Sequence, residues 1–273
     1  MLTLYFHKFF ESILIFIKQK FFFIFLAFFI VVIKIISGCE INDTDNSFQP
    51  RILAGESKSF GLGVVTSIIE TDENDIPTAI GVVFTSATLE GLDTTNLSVT
   101  LRMPQTVASN QFDHIVVEWN PEGHSPEGIY DIPHFDFRFY IINEAEQNSI
   151  SGIGADSIKM YRQPDSQFVP KDYKMIPNSG APKIGVRFYD TSSSELKVAS
   201  FDKTLLYDFY DGKIVSIEPM ITKSFFETKT TFVGDIKQPE KFQLPGFYPL
   251  QYNIKFTGSQ SKYTVALINL TRR

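Results

Sequence analysis

Four histidines occur in the 273-residue chain, and three of them, His114, His124 and His134, fall within 21 residues. The fourth, His7, lies in an N-terminal stretch read below as a cleaved signal. The same window holds the sole tryptophan, Trp119. Histidine is the commonest metal ligand and titrates near neutral pH, so localised chemistry is expected here. Side chains alternate between faces along a strand. In HFDFRFYI, His134, Asp136, Arg138 and Tyr140 therefore share one face, and Phe135, Phe137, Phe139 and Ile141 the other. Same-face neighbours sit about 7 Å apart, so His134 and Asp136 can converge on one ion, with one or two further ligands needed. Pro121, Gly123, Pro126 and Gly128 bend the preceding segment, 120–133, which can fold His124 back over the strand. His114 opens the preceding strand and is within reach, although a structural role suits it better. Three readings stay open: a metal or small-ligand site, a polar network built on an Asp136–Arg138 pair, and a solvated face. Gly128-x5-His134-x-Asp136 also echoes the first cupin motif, with Asp136 in place of its second histidine and no glutamate at the expected offset.

The elements that must position these residues are strands. Period-2 runs rich in Val, Ile, Phe and Tyr cover Leu62–Ile69, Ala79–Thr85, Leu97–Leu101, Ile115–Trp119, Phe135–Ile142, Ile184–Tyr189 and Lys203–Tyr210. Asp211-Gly212 supplies the positive φ angles of a tight hairpin turn into Ile214–Ile217. Pro219 lacks a ladder donor, which predicts that this arm ends there or lies at a sheet edge. A last pair is expected at Leu250–Thr257 and Tyr263–Leu270. Asn143 with Glu146 forms a capping-box pattern for a short helix to about Ile150, and a second helix is expected at Ser224–Thr228. Residues 163–183 and 234–249 read as proline-rich connections. The fold class is all-β, an antiparallel sandwich or barrel with one or two short helices. Residues 51–273 read as a single domain.

Residues 1–38 read as a signal peptide: Lys8, Lys18 and Lys20 precede the apolar run Phe21–Ile33. That run is too short for a membrane span of about 20 residues. Ile36-Ser37-Gly38-Cys39 resembles a bacterial lipobox, which implies cleavage before Cys39 and its lipidation with acyl chains such as palmitate; an uncleaved signal anchor is the competing reading. Cys39 is the only cysteine, so lipidation leaves no thiol for a disulfide or a metal. The acidic stretch 39–50 reads as a flexible tether. Glu40 after the cysteine points away from inner-membrane retention, and so toward the outer membrane of a Gram-negative envelope. Removing four lysines and one glutamate from 25 basic and 31 acidic residues leaves 21 and 30, a net charge of −9. That balance disfavours nucleic acid and suits cation binding. The expected partner is the membrane, through Cys39; homo-oligomerisation and a small ligand stay open.

A longer pattern runs through Ala79-Ile80-Gly81-Val82, Leu89-Glu90-Gly91-Leu92, Phe112-Asp113-His114, Trp119-Asn120-Pro121, Gly123-His124, Pro133-His134-Phe135-Asp136-Phe137, Tyr210-Asp211-Gly212, Glu218-Pro219-Met220 and Pro245-Gly246-Phe247-Tyr248-Pro249. In these residues the chain resembles a family of exported bacterial proteins classed as a domain of unknown function, which includes a sigma-E-regulated Thermus protein. The resemblance implies a mainly β protein whose signature histidines and acids line a site, and it implies no known activity. It adds Glu218, as an inward carboxylate completing a site with His124, His134 and Asp136, or as an edge-strand salt bridge to Arg138 or Arg187. Arg138 and Arg187 stand where the family pattern carries histidines. Arginine cannot ligate a cation, so a divalent transition metal is put in doubt, and a charged network with Tyr140 nearby is the alternative.

Two functions follow. One is a cell-envelope lipoprotein with a His/Asp-centred metal or ligand site in a binding or structural role. The other is a metal-dependent, cupin-like enzyme using His124, His134, Asp136 and Glu218. A serine hydrolase is disfavoured by the lack of a Gly-x-Ser-x-Gly elbow.

Overall fold

The computed structural model describes residues 51–273 apart from 93, 105–110 and 198–200. The signal, Cys39 and the tether lie outside the described residues. Two antiparallel sheets face each other. The six-stranded sheet has the order β1 (Arg51–Phe60), β2 (Gly63–Thr71), β3 (Pro77–Thr85), β13 (Lys262–Arg272), β12 (Phe247–Thr257), β11 (Phe232–Asp235). The seven-stranded sheet runs β4 (Leu97–Arg102), β5 (His114–Asn120), β6 (His134–Tyr140), β10 (Lys213–Thr222), β9 (Lys203–Tyr210), β8 (Val186–Asp190), β7 (Tyr173–Met175). This is the sandwich alternative of the expected all-β class. Among the described residues three short α-helices accompany it: α1 (Glu144–Ser149), α2 (Asp156–Met160) and α3 (Lys223–Glu227). Among the described residues no helix is long and apolar enough to cross a membrane.

The alternation read in β6 holds. Phe135, Phe137 and Phe139 enter the core between the sheets. Phe137 stacks on Phe84 of β3 at 6.0 Å, Phe84 on Tyr263 of β13 at 5.4 Å, and Phe226 of α3 wedges edge-on against Phe135 at 5.5 Å. Burying each such ring contributes about 1.5–3 kcal/mol. The β9–β10 hairpin closes with Lys213 opposite Tyr210, and Asp211 and Gly212 adopt φ of 52° and 75°. Asn143 caps α1 through a complete capping box with Glu146.

Pro219 corrects an expectation. β10 continues to Thr222 and lies in the middle of its sheet, between β6 and β9. The ladder to β6 skips Glu218 and Pro219 and resumes in the same register at Met220, opposite Asp136. The missing donor thus falls in a gap where side chains of Glu218 and Arg138, rather than backbone groups, meet. The first proline-rich connection holds a short strand, β7, and β11 runs into the start of the second; neither β1 nor α2 is foreshadowed by the sequence pattern. β1 is a half-buried edge strand with a bulge between Ala54 and Ser57, which breaks its alternation.

The seven-stranded sheet is buried on both faces. Its far side is covered by a second apolar cluster of Tyr130, Ile176, Phe201, Leu206 and Met220. A strand buried on both sides reads as a near-continuous apolar run, as in IVSIEPMI of β10.

Candidate metal centre and the buried charge row beside it

The even-numbered residues of β6 point to that far side, yet none is solvated: His134 and Asp136 are fully buried and Arg138 is 1% exposed. The reading of this face as solvated is excluded. Segment 121–133 lies over it. Gly123 turns the chain at φ +68°, Gly123 donates to the Asn120 carbonyl, and His124 N–H donates to the Tyr130 carbonyl at 2.9 Å. His124 is thereby laid against His134, with ring centroids 4.8 Å apart and planes near perpendicular. A Cβ on Gly123 would lie 2.1 Å from the Tyr130 oxygen and 2.5 Å from the Ile132 nitrogen, both backbone atoms. Gly123→Ala is expected to displace His124 and to lower stability by about 1–3 kcal/mol. Urea unfolding of the variant checks the second, and an unchanged midpoint would contradict it.

Hydrogen bonds fix the tautomers of both imidazoles. His134 Nδ1 lies 2.7 Å from the Ile132 carbonyl oxygen, and His124 Nδ1 lies 2.9 Å from that of Ser125. A carbonyl only accepts, so each Nδ1 carries the proton and each neutral ring presents a lone pair at Nε2. Both Nε2 atoms lie close to Asp136: that of His134 is 3.1 Å from Oδ1, and that of His124 is 3.6 Å from Oδ2. Oδ2 is already engaged, accepting from Asn120 Nδ2 at 2.9 Å and from an Arg138 guanidinium nitrogen at 2.7 Å. Asn96 donates to Asn120 Oδ1 at 3.0 Å, which sets the orientation of that amide. The atoms left over, His124 Nε2, His134 Nε2 and Asp136 Oδ1, are buried and make no hydrogen bond among the described residues. Candidate donor atoms of these three residues lie within 4.8 Å of one another. Metal–ligand bonds of about 2.0–2.1 Å at a tetrahedral angle place ligand atoms roughly 3.4 Å apart, close to the 3.1 Å between His134 Nε2 and Asp136 Oδ1.

Beside this group runs a row of buried charges. Arg138 bridges Asp136, Glu218 at 2.7 Å and Glu118, and its Nε is 3.9 Å from Asp208. Arg187 reaches the other oxygen of Glu218 at 3.7 Å. Burial alone would raise the Asp136 pKa, but the Arg138 guanidinium first, joined by His134 and His124 when those rings carry a second proton, holds it well below the usual carboxylate range. Glu218 goes the other way. Burial first, then Asp208 and Asp136, push it well above its ordinary value against the pull of Arg138 and Arg187. Asp208 is also raised by burial, against the arginines and the Ser216 hydroxyl, which donates to it. Two facing carboxyls can bond only when one carries a proton.

A pH dependence follows. A raised carboxyl stabilises the fold below its unfolded pKa and loses that contribution as pH rises through the folded value. Glu218 therefore makes the protein less stable toward neutral and alkaline pH, by at most about 1.4 kcal/mol per pH unit. Asp136, being depressed, acts oppositely: its contribution is present above about pH 4 and lost on acidification below that. Glu218→Gln mimics the protonated acid and is expected to flatten the decline between pH 5 and 8. Chemical denaturation in chelator across that range checks this, and parallel curves for parent and variant would count against a protonated Glu218.

Of the residues singled out in the sequence, His124, His134 and Asp136 come together. Glu218 does not join them; the arginine between it and Asp136 claims its carboxylate, in the middle of the sheet rather than at an edge. Arg138 and Arg187 form the charged network. Tyr140 borders it, and its hydroxyl donates to the Lys183 carbonyl. His114 sits at the other end of the face, 4.7 Å from the Tyr140 ring and held by Asp113 and Gln147. Sequence reasoning gives no role to Asn96, Glu118 or Asp208, and it holds Asn120 only as part of the Trp119-Asn120-Pro121 pattern. Glu118 in HIVVEW and Asp208 in TLLYDFY each interrupt an apolar run, the one sign of them in the sequence.

Comparison with curated proteins and with solved structures gives no match. Residues 72–119, from the β2–β3 turn through Trp119 of β5, match the family described as TTHB210-like (hypothetical protein TTHB210). The matched segment is thus similar to an uncharacterised family, and it ends before His124, His134 and Asp136.

Proposed function

We propose that this chain is a cell-envelope lipoprotein whose β-sandwich binds one divalent transition metal through His124, His134 and Asp136, in a binding or structural role. One observation carries the reading: two imidazole lone pairs and a carboxylate oxygen converge in a buried place without a donor between them. Such a cluster of acceptors calls for a cation or for added protons. Two nitrogens and one oxygen suit zinc, nickel, cobalt or ferrous iron better than calcium or magnesium, which prefer oxygen. Asn120 and Arg138 act as outer partners that leave Asp136 one oxygen to give. Bound metal would tie segment 121–133 to the sheet. Zinc in excess is expected to raise the melting temperature of the protein. At free metal 100 times Kd, a native-state ligand contributes about 2.7 kcal/mol. His134→Ala should abolish the rise, and equal melting with zinc and with chelator would sink the proposal.

The lipobox-like Ile36-Ser37-Gly38-Cys39 supports anchoring in the outer membrane through Cys39. Labelling with radioactive palmitate is expected to mark the parent and to leave Cys39→Ser unmarked; an unmarked parent would contradict the lipid anchor. A metal-dependent, cupin-like enzyme is the second reading, favoured by the donor count: three protein ligands leave a coordination position free, as in catalytic sites. Metal-dependent turnover of an ester or of dioxygen, lost in His134→Ala, would carry that reading.

A further inference from the structure

A second site lies away from the histidines. A cavity of about 470 Å³ opens between α1, the β9–β10 hairpin and the segment before β12. Ligand pockets fall at about 300–1,000 Å³, mostly apolar with a few placed polar groups. Ile141, Ile142, Ile214, Val215 and the ring of Tyr248 supply the apolar lining. Within it, the Gln243 side-chain nitrogen is buried and has no acceptor among the described residues. Three others are occupied. The Tyr248 hydroxyl donates to the Leu244 carbonyl, Asp211 pairs with Arg162, and the Tyr210 hydroxyl donates to Asp156. Glu146 and Lys213 line its mouth and are exposed, so their charges stay in solvent rather than inside the cavity.

We propose that this cavity binds a neutral amphipathic small molecule, with an apolar body against the isoleucines and one acceptor oxygen (hydroxyl, ester or amide) on Gln243. A charged ligand would lose its hydration without a buried counter-charge, because Lys213 and Glu146 sit exposed at the mouth. The site is independent of the histidine centre and needs no metal.

Monooctanoylglycerol, below its aggregation limit, is the probe, titrated calorimetrically into the full-length protein beside octanoate. Saturable binding of the ester is expected, with octanoate at least about tenfold weaker. Ile142→Trp should fill the cavity and remove the binding, and Leu244→Trp, at a 56% exposed position, serves if the first variant does not fold. Gln243→Leu should weaken the ester about tenfold. No saturable binding by the parent, or unchanged binding in folded tryptophan variants, would overturn the site. Equal affinity for octanoate, or an unaffected Gln243→Leu, would overturn the neutral, acceptor-bearing class of ligand.

Discussion

Arg138→Met is expected to lower the unfolding free energy by about 3–5 kcal/mol at neutral pH, the usual cost of removing one partner from a buried ion pair. The guanidinium touches Asp136, Glu218 and Glu118, and Asp208 is at the edge of its reach. Without it, three fully buried carboxyls face one another with Arg187 as the nearest cation. Domains of this kind are held by about 5–15 kcal/mol in total, so the variant is expected to be partly unfolded at pH 7.5. The deficit should shrink toward pH 5. Glu218 and Asp208 are raised already, and without Arg138 they take up protons sooner, which removes the repulsion. Arg138→Lys should rescue little, because a point charge cannot span the fork of donors that a guanidinium offers. Urea denaturation of the three proteins at both pH values reads all of this. A methionine variant within 1 kcal/mol of the parent at pH 7.5 would mean that the row is held by something other than Arg138.

The second large effect concerns metal affinity. Asn120→Ala is expected to weaken binding by about 10–100-fold, the usual consequence of losing an outer hydrogen bond to a ligand. His134→Ala should weaken it further, because it removes a donor rather than the brace of one. The ordering is informative because the two residues face each other across β5 and β6. A merely structural polar network would lose stability in both variants without any difference in metal affinity. Competition titration against a chromogenic chelator ranks them. Equal affinities for Asn120→Ala and the parent would mean that Asp136 is oriented by Arg138 alone.

The part of this site legible in the sequence was the part written in local periodicity. HFDFRFY places His134, Asp136 and Arg138 on one face whatever the rest of the chain does, and the prolines and glycines of 121–133 announce a segment able to return over that face. The partners of those residues come from pairing across the sheet, which no local pattern encodes. Glu218 reads as a fourth ligand because Glu218-Pro219-Met220 belongs to the pattern that carries the family resemblance. Register instead sets it beside Arg138, and the stronger local cation takes it. Pro219 looked like a terminator because a lost ladder bond is costly. Here the loss coincides with a polar contact between side chains, and the strand runs on. β1 escaped notice for a related reason, since an edge strand buries too little to show alternation.

The central claim is that His124, His134 and Asp136 hold one metal ion. Elemental analysis of full-length protein, exposed to an equimolar mixture of divalent transition metals and then desalted, tests it beside His134→Ala treated identically. About one equivalent of metal in the parent and none in the variant is the expected result. No metal in either protein, with the variant melting lower than the parent, would contradict the claim and leave the histidines as braces of the fold.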